Sequence, residues 1–306
     1  TARWITRTLI GKGLRGAGLR QPMPYGDREA QAVQRFATRG GLERHECTTE
    51  EREEYELYIE MGSVIFAGVD YAAILREAEK GADVLVWDGG NNDFPFFHSD
   101  LHVVLVDALR ADQVTTHHPG EAVARMADVA IVNKIDAAPA DAVERAIRSL
   151  RRVNPRARIL RAASPVQLDD PDAVAGRRVL VVEDGPTTTH GGMAYGAGYV
   201  AAIAAGAGEI VDPRAAAVPE IAAVFERFPH LGNVLPAMGY GARQIDALRR
   251  TIDASDADVV VSGSPIDLEA LLDVAKPVVR ARYHYEDADS PGLAGVLDEF
   301  LAGWSG

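Results

Sequence analysis

The sequence has little cysteine, no long apolar run and no excess of basic residues, and each shortage excludes a class of protein. Its single cysteine, Cys47, can form neither an internal disulfide nor half of a two-cysteine metal site, so a reducing, cytoplasmic compartment is expected. No stretch reaches about 18 consecutive apolar residues, so no membrane span is predicted. With 32 Lys and Arg against 45 Asp and Glu, the formal charge of −13 argues against a protein that grips nucleic acid.

The 306 residues, 47% of them hydrophobic, suffice for two α/β domains of about 100 to 200 residues each. From residue 63 onward, short runs of Val, Ile and Leu alternate with amphipathic helical patterns, which is typical of parallel sheets covered on both faces. We therefore predict an α/β fold with two doubly wound parallel-sheet domains. The predicted boundaries are 1–163 for the first domain, 164–176 for a linker rich in Pro and Asp, and 177–306 for the second domain.

The beginning of the sequence predicts a helix without a visible start, because apolar residues recur at helical spacing from Trp4 to Leu9. No G-x-x-x-x-G-K-[ST] phosphate loop occurs in the sequence. Since that loop directly precedes a helix, the first domain is predicted to be a P-loop NTPase-like fold that lacks its first strand and phosphate loop. The acidic run at 50–56, behind a capping Thr48 or Thr49, is interpreted as the solvent-exposed face of a helix.

The first candidate site residue is Asp88, which follows the apolar run VLVW and precedes Gly89 and Gly90. Ligands of open parallel sheets bind beyond the carboxyl ends of the strands. An acid at this position can hold Mg²⁺, and glycine backbone can approach the terminal phosphate of a nucleotide. The same pattern also occurs at ordinary turns after a strand.

The second candidate site is the N-K-x-D pattern of Asn133, Lys134 and Asp136, again at the end of an apolar run. Its carboxylate suits the N–H groups of guanine, and the lysine stem can lie along the ring of the base. We predict that a nucleotide contacts these residues. The choice between ATP and GTP stays open.

The third candidate site is in the second domain, where Asp184 ends an apolar run and His190, Gly191 and Gly192 precede a helix. The N–H groups at such a helix start bind anions, although a histidine there can also be a structural cap. A zinc site formed by histidines is not predicted, because their spacing does not fit. Further basic candidates in loops and at strand ends are Arg20, His117, His118 and Arg214.

Collinear segments along almost the whole chain resemble the cyclic 2,3-diphosphoglycerate synthetase family, whose bacterial relatives are often labelled GTPases. The segments include PMPYGD, QRFAT, WDGGNNDFPFF, HHPGEAVARMADVAIVNKID, VLVVEDGPTTTHGGMAYGAGYVAA, EIVDPR, LPAMGYG and SPIDL. The resemblance implies an ATP-dependent ligase that joins the two phosphates of 2,3-diphosphoglycerate into a cyclic phosphoanhydride. It also implies Mg²⁺, ATP or GTP as co-substrate, a homodimer, and a longer parent with an N-terminal domain and a phosphate loop ahead of residue 1.

Residue by residue, the resemblance implies that Asp88 is the acid on the magnesium side and that Gly89 and Gly90 contact the terminal phosphate. It places Asn133, Lys134 and Asp136 at the base. Because the diphosphate carries several negative charges, cations and N–H donors are expected around it. The residues expected there are Arg20, His117, His118, Lys134, Asp184, His190, Gly191, Gly192 and Arg214, and Asp88, Lys134 and His190 are the predicted catalytic residues.

Two positions depart from the pattern of the family. Gln21 stands where relatives have a histidine that could bind phosphate. The strand at 16–18 reads Gly-Ala-Gly instead of branched apolar residues, which predicts weak pairing.

Two other functions stay open at this point. The N-K-x-D pattern is compatible with a regulatory or metal-chaperone GTPase. The lack of a phosphate loop is compatible with an inactive remnant that binds phosphorylated metabolites.

Overall fold

The computed structural model describes residues 1–22, 27, 29–90, 93–189, 191–237, 242–264, 268 and 272–304. The chain divides into two compact units. Unit 1 comprises Thr1–Pro165 and His284–Gly306, and unit 2 comprises Val166–Tyr283. Among the described residues, no helix combines the length and the apolar character that crossing a membrane requires.

Unit 1 contains seven described helices and eight described strands, and a 3₁₀ helix covers Ala108–Thr115. The helices are α1 (Ala2–Gly11), α2 (Arg39–Arg44), α3 (Thr49–Glu60), α4 (Tyr71–Ala78), α5 (Gly120–Met126), α6 (Ala140–Val153) and, at the end of the chain, α11 (Leu293–Gly303). The strands are β1 (Gly16–Arg20), β2 (Gln34–Phe36), β3 (Val64–Ala67), β4 (Val84–Trp87), β5 (Val103–Asp107), β6 (Val129–Asn133), β7 (Arg158–Ala163) and β14 (Glu286–Asp287).

The strands of unit 1 form two four-stranded sheets, in the orders β2-β3-β1-β4 and β14-β7-β6-β5. All pairs are parallel except those of the edge strands β2 and β14. This arrangement confirms the predicted α/β class, in which helices cover largely parallel sheets.

The glycine-rich strand β1 is central and pairs with both β3 and β4, so the prediction that it pairs weakly is wrong. Gly18 is required by packing. A Cβ atom at this position would lie 2.7 Å from the ring of Tyr58, which reaches the strand from α3. The missing side chain therefore makes room for an aromatic ring.

Helix α3 presents one polar and aromatic stripe, Glu51, Glu54, Tyr55 and Tyr58, with the i, i+3, i+4, i+7 spacing of a buried helix face. Tyr55 and Tyr58 are 1% and 0% exposed and pack against the first sheet. The interpretation of the acidic run as a solvent-exposed face is therefore wrong for this side of the helix. The predicted cap is confirmed as a capping box between Thr48 and Glu51.

Cys47 packs in the same cluster as these tyrosines and is 8% exposed. Burial raises the pKa of its thiol to about 11, so almost no thiolate forms at neutral pH. We expect a maleimide to label folded protein at least about 100-fold more slowly than urea-unfolded protein, measured by intact mass. Complete labelling of the folded protein within minutes would contradict this packing.

The last segment of the chain belongs to unit 1, although the sequence predicted it in the second domain. Leu293 and Val296 of α11 pack against Val129 and Ile131 of β6, and β14 pairs with β7. The apolar face of α11 is thus buried on the second sheet of unit 1.

Unit 2 contains a six-stranded sheet in the order β10-β9-β12-β13-β8, with β11 also paired to β9. Its strands are β8 (Val166–Leu168), β9 (Arg178–Asp184), β10 (Glu209–Ile210), β11 (Leu235–Ala237), β12 (Val259–Ser262) and β13 (Val278–Tyr283). The α-helices described in unit 2 are α7 (Gly185–Thr188), α8 (Ala197–Ala204), α9 (Pro219–Arg227) and α10 (Ala242–Ala254). Strand β8 lies within the predicted linker and pairs antiparallel with β13, so that segment is structured.

Candidate functional site

One end of the first sheet of unit 1 carries a row of polar residues, where the parallel strands β1, β3 and β4 end and the antiparallel strand β2 begins. Gln34 of β2 pairs with Ala67 of β3, which pairs in turn with Arg20 of β1. Asp88 directly follows β4, and its N–H donates to the carbonyl of Leu19. Since paired residues point to the same face of a sheet, Gln34 and Arg20 face the same helix, α3.

Asp88 is held by side chains from two other elements. The Tyr58 hydroxyl donates to Asp88 Oδ2 at 2.8 Å, and Arg20 Nη1 lies 3.7 Å from the same oxygen. Arg20 also donates to Glu54 Oε2 at 2.6 Å. Within the described part of the chain, Asp88 Oδ1 accepts no hydrogen bond, so one carboxylate oxygen is fixed while the other can meet a ligand.

The Tyr58 hydroxyl is a permanent donor in this arrangement. Its burial raises its pKa, and the negative charge of Asp88 adds to this effect. A protonated phenol next to a carboxylate donates its hydrogen, which orients Asp88 without neutralising it.

The two glycines after Asp88 lie at the exposed edge of the sheet. The N–H of Gly90 donates to Asp93 Oδ2 at 3.0 Å. The indole of Trp87 lies against Gly89, and a ring cluster of Trp87 with Tyr71 and two phenylalanines packs behind it. Gly89 therefore packs on an aromatic cluster.

The N-K-x-D residues lie at the carboxyl end of β6 in the second sheet. Lys134, at a positive φ of 61°, places its Nζ 2.7 Å from Asp107 Oδ2 at the end of β5. Asp136 is exposed and accepts the Ser164 N–H at 2.9 Å. Asn133 Oδ1 is buried without a hydrogen-bond partner among the described residues. A non-glycine residue at positive φ and an unpaired buried acceptor are features that often mark a functional loop.

A cavity of about 780 Å³ lies between β4 and β5 of unit 1. Asp88, Gly89 and Gly90 line it where β4 ends. Its apolar walls come from both strands and from helices, including Leu85, Val86, Val103, Leu105, Ile5, Leu9, Leu75, Val123, Leu297 and Phe300.

The structure does not bring the other predicted phosphate-binding residues of unit 1 to Asp88 by any described contact. His117 and His118 are exposed, and His117 Nδ1 lies 2.9 Å from the hydroxyl of Thr116. Their predicted role stays a prediction.

In unit 2, most of the predicted anion-binding residues make internal contacts. Asp184 accepts the N–H and the hydroxyl of Thr187, which caps α7. Arg214 donates to the carbonyls of Leu231 and Gly232, pairs with Asp212 and stacks on Phe225. Gly191 and Gly192 lie in the turn before α8, and Gly192 has a positive φ of 66°. His190 lies outside the described residues.

Glu183, beside Asp184, is a polar residue that the sequence analysis missed. It is 1% exposed, and its carboxylate accepts the N–H groups of Gly196, Gly198 and Tyr199 at the start of α8. Burial raises the pKa of this carboxyl, while the three N–H donors oppose the shift. A Cβ on Gly263 would lie 2.2 Å from Glu183 Oε2, so the glycine that follows β12 also leaves space for this side chain.

The sequence analysis also missed Tyr58, Glu54 and Asp107 as partners of the predicted site residues. The helical stripe of α3 was a signal that could have identified Tyr58 and Glu54. Asp107 also directly follows an apolar run, as Asp88 does.

Comparison with known proteins gives two findings on sequence. Residues 81–161 match the family model described as CobW/HypB/UreG, nucleotide-binding domain. The chain is 53% identical over 300 residues to the arginine synthetase ArcE of Thermococcus kodakarensis. The aligned residues cover 98% of this chain and 67% of that relative.

Two solved structures are similar at low identity. The hydrogenase maturation factor HypB from Archaeoglobus fulgidus is 23% identical, with 53% of this chain and 74% of that chain covered and a TM-score of 0.33. LpxK from Aquifex aeolicus, solved in complex with ATP, is 14% identical, with 97% and 82% covered and a TM-score of 0.47.

Asp88 and the N-K-x-D residues thus lie within the segment that matches the nucleotide-binding domain model. The family relationship indicated by the collinear motifs is confirmed, although the relative is named for arginine and not for cyclic 2,3-diphosphoglycerate. The chain therefore belongs to the synthetase family that includes the arginine synthetase ArcE of Thermococcus kodakarensis.

Proposed function

We propose that this chain acts in the synthesis of arginine driven by a nucleoside triphosphate, ATP or GTP. The observation that carries the proposal is the 53% identity, over 98% of the chain, to a relative named arginine synthetase. Residues 81–161 match a nucleotide-binding domain. A nucleoside triphosphate bound there would supply the energy that a synthetase reaction needs.

The charges at the candidate site count against a diphosphate as the substrate. The cations expected around a diphosphate have partners of their own: Arg20 pairs with Glu54 and Lys134 with Asp107. A substrate with several phosphate charges needs cations or N–H donors that are not already neutralised.

The residues present fit a magnesium ion carried by the nucleotide. Mg²⁺ is commonly held by one or two carboxylates together with substrate phosphates, and Asp88 offers one oxygen that takes no other hydrogen bond from the described residues. Asp88 would hold the ion, which when bound would neutralise phosphate charge. Tyr58 keeps the carboxylate oriented, and Asp136 and Asn133 contact the base.

The test supplies the protein with arginine, ADP or GDP, and inorganic phosphate, and measures nucleoside triphosphate by luciferase or chromatography. Arginine-dependent formation of ATP or GTP supports the proposal, since a synthetase reaction can be followed in reverse. No triphosphate above a no-arginine control, with stoichiometric nucleotide binding demonstrated by calorimetry, would reject it.

The second candidate is formation of cyclic 2,3-diphosphoglycerate, which the collinear sequence motifs favour. It predicts ADP release that depends on 2,3-diphosphoglycerate and a cyclic product in the phosphorus NMR spectrum. Formation of the cyclic product from 2,3-diphosphoglycerate, without any arginine-dependent reaction, would favour this second function over arginine synthesis.

A regulatory or metal-chaperone GTPase is favoured only by the domain match and the N-K-x-D residues. Competition binding separates this function from a synthetase. A strong preference for GTP that is lost in Asp136→Ala, without any turnover of arginine or 2,3-diphosphoglycerate, would favour the GTPase.

Tyr58→Phe is expected to lower nucleotide-dependent turnover at least about tenfold, because a hydrogen bond to a charged group contributes about 1.5–3 kcal/mol. The matched control is Tyr55→Phe. The Tyr55 hydroxyl is buried on the same helix but has no partner among the described residues, so its removal should change turnover less than about twofold. Equal losses in the two variants would show that Tyr58 acts through packing alone.

A further inference from the structure

Arg20 and Asp88 are neighbours across the first sheet of unit 1. Leu19 of β1 pairs with Trp87 of β4 in a parallel register, so Arg20 and Asp88 are the next positions along the two strands. The N–H of Asp88 donates to the carbonyl of Leu19, which continues the pairing. Opposite charges at neighbouring positions of a sheet attract each other. The strand register by itself therefore favours a direct ion pair between Arg20 and Asp88.

The observed contacts differ from that arrangement. Arg20 Nη1 donates to Glu54 Oε2 at 2.6 Å and lies 3.7 Å from Asp88 Oδ2, which is beyond hydrogen-bond distance. Asp88 Oδ2 instead accepts the Tyr58 hydroxyl at 2.8 Å. The positive charge between the two acids thus forms its hydrogen bond with Glu54, and the hydrogen bond to Asp88 comes from a neutral donor.

One helix supplies both groups that produce this arrangement. Glu54 and Tyr58 are four residues apart on α3, so their side chains lie on the same face of the helix. The side chains of Arg20 and Asp88 are each 22% exposed, and that of Glu54 is 37% exposed. Charges withdrawn from water attract each other more strongly than fully exposed charges do. Whichever acid Arg20 contacts therefore loses much of its capacity to attract a second cation.

The charge of Asp88 matters for its proposed role toward the nucleotide. Magnesium is held by carboxylates and phosphates, and a carboxylate that already pairs with a guanidinium attracts a further cation only weakly. A guanidinium also carries its donors in a planar fork, which can engage both oxygens of one carboxylate. A direct pair with Arg20 would therefore occupy the Asp88 oxygen that now accepts no hydrogen bond from the described residues.

We propose that Glu54 is a positioning residue, which holds Arg20 away from Asp88 and so keeps the Asp88 carboxylate free to hold the magnesium ion of the nucleotide. The inference rests on the role given to Asp88 under the proposed function, but it does not depend on which substrate reacts with the nucleotide. It also gives one acid of the run at 50–56 a function other than solvation.

The first measurement is the crystal structure of Glu54→Gln. Glutamine keeps the size of the side chain but removes the charge that holds Arg20. We expect a guanidinium nitrogen of Arg20 to lie within about 3.2 Å of an Asp88 carboxylate oxygen in this variant. An Arg20 side chain that stays more than about 3.5 Å from Asp88 would overturn the proposal.

The second measurement is ADP binding by calorimetry, once with Mg²⁺ in excess and once with EDTA. The ratio of the two affinities gives the tightening that the ion provides, without any turnover. We expect Glu54→Gln to reduce this ratio at least about tenfold, because Arg20 then neutralises Asp88. In the double variant Arg20→Gln/Glu54→Gln, Asp88 has no cationic neighbour, so the ratio should return to within about threefold of the unsubstituted protein.

The matched control is Glu60→Gln, which removes a carboxylate from the same helix. The described ion-pair partner of Glu60 is Arg39, and both side chains are largely exposed. The ratio should therefore change less than about twofold in this variant. An equal loss in Glu60→Gln and Glu54→Gln would show that only the total charge of α3 matters, which would overturn the positioning role.

Three further results would also overturn the proposal. A double variant as weak as Glu54→Gln would show that Glu54 acts on the ion directly. An unchanged ratio in Glu54→Gln would show that Arg20 does not neutralise Asp88. A lack of tightening by Mg²⁺ in the unsubstituted protein would show that Asp88 holds no ion. None of these readouts uses arginine, so they are distinguishable from a failure of arginine-dependent triphosphate formation.

Discussion

Asp88→Asn is expected to lower nucleotide-dependent turnover by about 100-fold or more while leaving the fold intact. The substitution keeps the shape of the side chain and an oxygen for the Tyr58 hydroxyl, but it removes the negative charge. Loss of a preorganised charge at a phosphoryl or metal site commonly costs about two to three orders of magnitude. Turnover is measured at saturating nucleotide, and folding by circular dichroism and thermal unfolding.

The matched control for this substitution is Asp100→Asn. Asp100 lies in the same connection between β4 and β5, but its side chain is 81% exposed. Its Oδ1 lies 3.9 Å from Nδ1 of His98. Its neutralisation should change turnover less than about twofold, as is usual for exposed sites. Turnover in Asp88→Asn within about threefold of the unsubstituted protein would remove Asp88 from the site.

Glu183→Ala is expected to lower the free energy of unfolding of unit 2 by about 3–5 kcal/mol. The substitution leaves three backbone N–H groups at the start of α8 without their acceptor and opens a void beside Gly263. Each buried donor that loses its partner costs about 1–3 kcal/mol. Urea unfolding followed by circular dichroism measures the change.

Two further variants calibrate this result. Glu183→Gln retains a carbonyl oxygen as acceptor and should lose less stability than the alanine variant. Glu226→Ala removes an exposed carboxylate from α9 and should stay within about 0.5 kcal/mol of the unsubstituted protein. If Glu183→Ala were as stable as Glu226→Ala, the three hydrogen bonds would contribute nothing to the fold.

The errors of the sequence analysis share a physical cause. Gly18 of β1 looked unfavourable because the ring that occupies the space beside it comes from Tyr58 of α3, about 40 residues further along the chain. The acidic run of α3 looked solvent-exposed because acidic residues are usually exposed, but one side of that helix packs its tyrosines on the sheet. In both cases the decisive partner lies on another element.

The predictions of site residues succeeded where the signal was local and failed where the partner lay on another element. The sequence placed Asp88 and the N-K-x-D residues correctly at strand ends, because the ends of apolar runs are visible in the residues themselves. It nominated Arg20 and Lys134 as phosphate ligands, because a cation was all that could be seen. Their carboxylate partners, Glu54 and Asp107, became visible only in the folded chain.

The sequence by itself determined the α/β class, most of the strands and the strand-end acids, because hydrophobic periodicity is a local property of the chain. Only the tertiary structure decided that α11 packs on unit 1, that Tyr58 orients Asp88, and that a cavity lies between β4 and β5. These features depend on contacts between residues far apart in sequence, which local patterns do not encode.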